Sequence, residues 1–372
     1  MQDIDINGLQ QQVLWAAFAL SLVFGAIAQR THFCTMGAVS DIVNIGDWSR
    51  MRMWALAIGV AMLGFNLMVA FGWIDSGKTF YTQARVPWLS LSLGGLMFGL
   101  GMVLASGCGS KTLVRIGGGN LKSLVVFAVL AIAALMAMRG VVGVARVQWL
   151  DTVSNTLATT SDVPSLLAQA TGAAKVDTAL WSGVLIGGGL ILWSVLRAEG
   201  RSVDNLLGGL GIGALTVGLW WVSGVKGFVA EHPETLEAVY LATNSRGMES
   251  FTFVGPLGYV IDWLTYFSDK SKVVTLGIIT VPGVILGSAV VSLATGQFRW
   301  ESFRGTEDLV NHLVGAVLMG IGGITALGCT VGQGLSGLST LAVGSFVAVA
   351  FIVVGAVLGL RYQTWRIEQS FS

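Results

Sequence analysis

Residues 98–111 read FGLGMVLASGCGSK, a glycine-rich apolar run that stops at a thiol and continues at once into polar residues. Residues 24–37, FGAIAQRTHFCTMG, and residues 319–332, MGIGGITALGCTVG, repeat the pattern. In each run a glycine stands nine residues before one of the chain's three cysteines: Gly25 and Cys34, Gly99 and Cys108, and Gly320 and Cys329. The pattern predicts apolar helices that break at a thiol inside a membrane, where irregular backbone persists only if protein surrounds it or water lines it.

The composition is that of an integral membrane protein. Hydrophobic residues make up 54% of the 372 residues and charged residues 11%, with a mean hydropathy of +0.75, whereas an average soluble domain has about 25% charged residues. Most of the long apolar runs reach the roughly 20 residues that cross hydrocarbon as a helix. We therefore expect an all-α protein that forms a single membrane domain over residues 1–372, with about nine transmembrane helices near 13–28, 53–74, 91–107, 121–145, 179–196, 206–225, 273–295, 309–328 and 338–360.

The charge balance and the cysteine pattern exclude several kinds of site. The 21 basic and 20 acidic residues form no stripe of Lys and Arg that would replace phosphate counterions, so we expect no nucleic-acid partner. Three cysteines cannot all pair with one another, and none belongs to a C-x-x-C pair, which argues against a disulfide scaffold and a structural zinc site. We expect neither a metal nor another cofactor.

The cysteine runs also indicate an internal duplication. Two of them match at identical spacing: Gly99, Gly101, Gly107 and Cys108 correspond to Gly320, Gly322, Gly328 and Cys329. Residues 250–255, SFTFVG, resemble residues 32–37, HFCTMG, and this puts Thr252 in the place of a fourth cysteine. We predict two pseudo-symmetric halves, 1–146 and 179–372, joined by a connector over 147–178. An odd number of spans between them would invert one half relative to the other, as in many transporters built from broken or re-entrant helices.

The distribution of basic residues predicts an orientation. The N-terminal tail has no Lys or Arg. Basic residues follow the first and the last apolar runs, namely Arg30, Arg50, Arg52, Arg361 and Arg366. The positive-inside rule therefore places the N-terminus outside and the C-terminus in the cytoplasm. Other basic residues fall on nominally outer loops and weaken this interpretation: Arg85, Arg146, Arg246 and Lys270. With this orientation two thiols lie toward the cytoplasm and Cys329 lies toward the outside.

The residues around the thiols favour an anion. A chain that reverses after a Gly-Cys unit leaves N–H groups free, and the short helix that follows presents its N-terminus, which attracts negative charge. Side chains or free backbone at each break could assist: Arg30, His32 and Thr35 at the first, Gly109, Ser110 and Lys111 at the second, Thr330 and Gln333 at the third, and Thr252 at the fourth position. Cations flank the first two thiols, whereas the third has neutral donors.

A thiol can donate a weak hydrogen bond, which suits an anion that itself contains sulfur. A series of weak sites also suits transport, because a substrate must bind well enough to come in and loosely enough to leave. The competing interpretation is structural, since a solitary membrane cysteine is most often a small hydrophobe in a packed core, and Lys111 could extend to the membrane boundary.

Four segments resemble one known family. Gln29–Gly37, Ser106–Gly109 and Leu327–Gly337 resemble the three cysteine signatures of the YeeE/YedE family of bacterial inner-membrane sulfur transporters, and Gly218–Gly224 is similar to a segment of that family rich in glycine and tryptophan. The resemblance implies uptake of thiosulfate across the bacterial inner membrane along Cys34, Cys108 and Cys329. It also implies a small sulfur-carrier partner of the TusA type. His32 stands where the resemblance leads us to expect arginine.

Other functions fit the same cysteines. One is a transporter of another sulfur or selenium species with the same architecture. Another is an intramembrane enzyme that transfers thiol or persulfide sulfur, which would need thiols with lowered pKa values; the third thiol lacks a nearby cation in sequence. The remaining possibility is a structural or receptor subunit. A chain of non-equivalent sites in both halves favours a conduit rather than an enzyme.

Overall fold

A computed structural model describes residues 5–233 and 235–371, and it confirms an all-α membrane protein. Within those residues the α-helices are α1 (Ile6–Arg30), α2 (Thr35–Ile45), α3 (Ser49–Ala70), α4 (Trp88–Leu104), α5 (Gly109–Gly117), α6 (Leu121–Arg139), α7 (Val141–Ala145), α8 (Val163–Thr171), α9 (Lys175–Ser182), α10 (Gly188–Val195), α11 (Val203–Trp221), α12 (Val254–Thr265), α13 (Leu276–Ala294), α14 (Thr306–Thr325) and α15 (Val343–Phe371).

Short irregular elements complete the helical framework. Two 3₁₀-helices cover Ser76–Lys78 and Ala198–Arg201, and π-helical turns cover Arg146–Leu150, Gly183–Gly187, Val222–Lys226 and Gly332–Gly337. The strands form two-residue antiparallel pairs, β1 (Arg85–Val86) with β2 (Asn155–Thr156) and β3 (Phe228–Val229) with β4 (Val239–Tyr240).

The prediction of about nine transmembrane helices is confirmed. In the described part of the chain, nine helical stretches are long and apolar enough to cross a membrane: Ile6–Ile45, Ser49–Ala70, Trp88–Gly117, Leu121–Arg139, Lys175–Val195, Val203–Lys226, Leu276–Ala294, Thr306–Thr325 and Val343–Gln369. The first stretch joins α1 to α2 and the third joins α4 to α5, so both contain a break at a cysteine. The fifth begins inside the predicted connector, which also contains α8.

Loop contacts define the two ends of the bundle. At the end where α3 and α6 finish, which we call side one, the Met248 N–H donates to the Lys78 carbonyl (2.8 Å), and β1 pairs with β2. At the opposite end, side two, the Leu121 N–H donates to the Glu301 carbonyl (2.9 Å). Helix α1 runs from side one to side two, because Val13 packs near the π-helical turn after α11 and Arg30 pairs with Asp204 at the start of α11.

The glycines that precede the cysteines serve helix packing. A Cβ atom on Gly25 would overlap the Val284 carbonyl of α13, and one on Gly99 would overlap the Ile352 carbonyl of α15. At Gly320 a Cβ would lie 2.6 Å from the Leu130 carbonyl of α6. Because lipid supplies no hydrophobic force between helices, small residues that admit a neighbouring backbone stabilise a membrane bundle. The nine-residue spacing therefore sets the distance between a helix crossing and a break.

Helices α4 and α14 pack antiparallel along one glycine-lined face. Gly101 of α4 lies against Gly315 of α14, and Gly94 lies against Gly322. The last turns of α4 and α14 consequently point to opposite ends of the protein. This contact positions the breaks after the two helices on opposite sides of the core.

Candidate functional site at three broken helices

The three cysteine breaks share one backbone geometry. Helices α1, α4 and α14 each end four residues before the cysteine that follows. The residue two positions before each cysteine adopts the left-handed conformation: His32 (φ 51°), Ser106 (φ 56°) and Leu327 (φ 58°). The next N–H then donates to a carbonyl five residues back: Phe33 to Ala28 (3.2 Å), Gly107 to Met102 (2.8 Å) and Gly328 to Gly323 (2.8 Å). This is the Schellman type of helix ending.

None of the three left-handed residues is glycine. An L-residue in this conformation costs about 1–2 kcal/mol, because its Cβ crowds the following carbonyl. Leu327 adds the bulk of a branched side chain. Strain of this kind tends to cluster at functional sites, where the surrounding structure holds it in place. Three strained endings of one geometry, each leading to a thiol, therefore mark a candidate site.

Each cysteine stands at the start of a second helical segment. The Gly37 N–H donates to Cys34 Sγ (3.4 Å), and the Gly332 N–H donates to Cys329 Sγ (3.3 Å), so both sulfurs cap a helix N-terminus. The Cys108 sulfur lies 3.2 Å from Ser110 Oγ instead. All three thiols are at most 5% exposed. They are thus surrounded by donors and shielded from water.

Cys108 is close to both of the other thiols. It is within electrostatic range of both Cys34 and Cys329. The segment before α12 separates the last two: the Phe253 N–H points at the Cys329 sulfur, and Phe253 Cβ lies 3.7 Å from the position of a Cβ on Gly109. The fold therefore brings together sulfurs from the two ends of the bundle that the sequence alone could not relate.

A basic cluster adjoins the thiols on side two. Lys111, in the first turn of α5, is within electrostatic range of Cys34, Cys108, Arg115 and Arg50. Arg50 pairs with Asp41 (2.9 Å). Among the ion pairs formed by the described residues, none involves Lys111 or Arg115. Two cations thus remain for an anion near Cys34 and Cys108.

Arg30 and His32 lie at the rim of this cluster. The Arg30 side chain is 60% exposed and 3.8 Å from the Asp204 carboxylate of α11. His32 is exposed and is within electrostatic range of Lys111 and Arg50. Both therefore lie close to the first thiol's break but on its solvent-facing side.

Two hydroxyls beside the thiols are unused. Thr35 Oγ1 and Thr330 Oγ1, each directly after a cysteine, have no hydrogen-bond partner within the part of the chain that the structure describes. Thr330 is only 2% exposed. Since a buried polar group usually has a partner, each of these hydroxyls is available to bind a water molecule or a ligand. A substrate anion at the breaks would supply such a partner.

Gln333 and Thr252 occupy other positions around the third break. The Gln333 side-chain amide donates to the Ala326 carbonyl (2.7 Å) and accepts from Ser345 Oγ (2.6 Å), so it clamps the end of α14 to α15. Thr252 lies against Gly332, one helical turn after Cys329. The structure thus brings Thr252 to the third thiol's helix, and it uses Gln333 within the protein.

A cavity of about 370 Å³ opens from side one and reaches the third break. Its floor includes Leu327 and Gly328, and its wall includes Thr252. Arg139 and Arg146 also line it, and Arg146 Nη1 lies 3.4 Å from the Ile324 carbonyl at the end of α14. Two arginines from outside the cysteine runs therefore line the cavity that reaches the third break.

The sequence places Arg146 on an outer loop and does not relate it to the third break, because 183 positions separate it from Cys329. Its Nε is buried and has no hydrogen-bond partner among the described residues, and its carboxylate neighbour Asp151 is 3.9 Å away. A guanidinium with an unused donor suits an arriving anion. In the same part of the chain, no group of three His, Cys, Asp or Glu side chains is arranged to hold a metal ion.

In the described part of the chain, nine apolar helical stretches, three of which contain or lead into a break at a buried thiol, together with donors and cations near the breaks, are typical of a membrane transport protein for a small anion. A family model described as "Sulphur transport" matches residues 30–358. The chain belongs to that family, which confirms the resemblance carried by the cysteine motifs.

Two curated relatives cover nearly the full length. The chain is 26% identical over 344 residues to the thiosulfate transporter TsuA of Escherichia coli (strain K12), and the alignment covers 90% of each protein. It is 25% identical over 352 residues to the thiosulfate transporter TsuA of Spirochaeta thermophila, covering 92% of this chain and 97% of the relative.

Proposed function

We propose that the protein takes up thiosulfate through the bacterial inner membrane, along a path that runs from the side-one cavity past Cys329 and Cys108 to Cys34. The observation that carries the proposal is the matched geometry of the three helix endings, each of which leads to a buried thiol. The full-length similarity to two thiosulfate transporters supports the choice of anion.

Each station offers donors for a different part of the ion. The thiols donate weak S–H hydrogen bonds to its terminal sulfur, and the N–H groups and the hydroxyls of Thr35 and Thr330 donate to its oxygens. Arg146 attracts the ion on side one, and Lys111 draws it onward near Cys34 and Cys108. Because each station provides only part of a binding site, the ion can pass from one to the next.

The proposed orientation puts side one outside the cell and side two in the cytoplasm. Basic residues support this choice, since Arg30, Arg50 and Arg115 lie at side two, where α1 and α5 end. It puts the N-terminus outside and the C-terminus in the cytoplasm. The two halves, 1–146 and 179–372, then form an inverted repeat with 147–178 between them, a proposal supported by the antiparallel packing of α4 and α14.

Transport is favoured over sulfur-transfer catalysis. An enzyme would need a base beside a reactive thiol, whereas His32, the nearest histidine in sequence to a cysteine, is exposed at the rim. The basic cluster on side two also supports delivery of the anion to a small TusA-like carrier in the cytoplasm.

The test is radiolabelled thiosulfate uptake into liposomes that contain the purified protein, followed by chemical identification of the sulfur species inside. We expect unaltered thiosulfate to accumulate. Conversion of thiosulfate without accumulation would identify an enzyme. If unlabelled selenium or sulfide compounds inhibit the uptake far more strongly than unlabelled thiosulfate does, the substrate assignment would change. Liposomes lacking the protein are the control.

A further inference from the structure

The side-one cavity contains a carboxyl group that has no role in the proposed transport path. Among the described residues that line the cavity, Glu249 is the one carboxyl group, and it faces the same space as Arg139 and Arg146. It lies three residues before Thr252, whose segment forms the wall beside Cys329. An anion that moves from the cavity mouth to the third break therefore passes a carboxyl group.

The protein fixes this carboxyl group in place. Glu249 Oε1 accepts N–H hydrogen bonds from Asn244 (2.8 Å) and Ser245 (2.6 Å). The Glu249 N–H donates to Ser223 Oγ (3.1 Å), and that hydroxyl donates to the Glu249 carbonyl (2.6 Å). The side chain consequently cannot swing out of the way of an arriving ion without breaking a closed turn.

The arginines of the cavity have other partners. Arg139 Nη1 lies 3.2 Å from the Asp262 carboxylate, which also binds Lys272 (2.7 Å). Arg146 lies 3.9 Å from Asp151. Among the ion pairs formed by the described residues none includes Glu249, so its negative charge, when the group is ionised, opposes a doubly charged anion in the cavity.

The groups around Glu249 link it to the third thiol. Tyr81, from the loop before α4, and Tyr259, from α12, both lie within electrostatic range of Glu249. Tyr81 also hydrogen-bonds to Thr252 and is within range of Cys329. The titratable groups of neighbouring elements that interact electrostatically with Glu249 are therefore Tyr81 and Tyr259, and the charged groups that line the same cavity are Arg139 and Arg146.

Burial raises the pKa of Glu249 above its usual value, although the N–H donors of Ser245 and Asn244 oppose this effect. The pKa of Tyr81 is also raised by burial, so that phenol stays neutral. A raised carboxyl pKa moves the change of charge toward neutral pH, where thiosulfate keeps both of its charges.

We propose that Glu249 makes admission of the anion depend on protons: its neutral form lets thiosulfate reach the Cys329 break, and its ionised form repels the ion in the cavity. The inference rests on the proposed thiosulfate transport and adds a specificity-determining residue to it. The KM for thiosulfate therefore depends on pH through Glu249, and the steps at the three thiols do not.

The test is the external-pH profile of thiosulfate uptake into liposomes at constant internal pH, measured as KM and maximal rate. For the wild type we expect KM to rise several-fold from mildly acidic to mildly alkaline pH. Glu249→Gln keeps an oxygen that accepts both N–H bonds but removes the charge, so its KM should stay at the wild-type acidic value. Glu249→Asp should retain a pH-dependent KM. Glu231→Gln, an exposed carboxylate on the same side, should behave as the wild type.

A pH-dependent KM in Glu249→Gln that matches the wild type would overturn the role of Glu249, and so would a flat wild-type profile. Absence of wild-type uptake at every pH would instead reject the proposed transport function. If Glu249→Gln is unstable, the Glu249→Asp profile decides: a profile without pH dependence contradicts the inference.

Discussion

Replacing the buried hydroxyl of Thr330 should make the protein more stable and a poorer transporter. The side chain is 2% exposed, and Oγ1 has no partner among the residues that the structure describes. Leaving a buried hydroxyl unpaired costs about 1–3 kcal/mol. Thr330→Val removes the hydroxyl and keeps the β-branched shape, so we expect the free energy of unfolding to increase by an amount near the lower end of that range.

The same hydroxyl is proposed to donate to an oxygen of the bound anion. A hydrogen bond to a charged group contributes about 1.5–3 kcal/mol, which corresponds to roughly 10- to 100-fold in affinity. Thr330→Val should therefore raise the KM for thiosulfate by about that factor. A stabilising substitution that impairs transport would distinguish a substrate ligand from a packing residue.

Two assays on one preparation test this prediction: thermal unfolding followed by tryptophan fluorescence, and initial rates of radiolabelled thiosulfate uptake. The matched control is Thr280→Val, since Thr280 is 1% exposed but its hydroxyl donates to the Gly277 carbonyl (2.8 Å). The control should lose about 1 kcal/mol of stability and transport normally. A Thr330→Val protein with wild-type KM would refute the assigned role of the hydroxyl.

Two further substitutions address packing and anion capture. Gly99→Leu would force a side chain into the backbone of α15, so we expect little folded protein by size-exclusion chromatography, whereas Gly188→Leu, at a position with open space around it, should fold normally; equal yields would contradict the packing role. Arg146→Gln should raise the KM for thiosulfate about tenfold or more, because a charge-assisted hydrogen bond is lost. The control is Lys175→Gln, since Lys175 pairs with Asp75 on side one and neither residue is among those that line the cavity, so its KM should not change. An unchanged KM in Arg146→Gln would remove the cavity from the proposed path.

The sequence predicts the framework well, because apolar length and glycine placement are local properties. The nine helical stretches follow from hydropathy, and the breaks follow from the Gly-Cys runs. The left-handed residues could not be predicted in this way. At His32 and Leu327 the conformation normally favours glycine, and only the surrounding tertiary structure maintains it.

The sequence also could not predict which residues from distant segments join the site. Arg146 and Glu249 reach the third break through loops that fold over side one, and neither lies in a cysteine run. Gln333 shows the opposite case: its polarity predicts a substrate ligand, and the structure already engages one N–H of its amide with Ala326 and its oxygen with Ser345. Which donors remain free depends on tertiary contacts.

The most direct test of the three-thiol path is the initial rate of thiosulfate uptake by Cys108→Ala in liposomes, compared with wild type at equal protein content. Cys108 is the thiol in electrostatic range of both others, so its loss should interrupt transfer between them. We expect uptake to fall by at least about tenfold, the effect of removing one hydrogen bond to a charged substrate, with the unfolding temperature near that of wild type. Wild-type uptake by Cys108→Ala would contradict the proposed path.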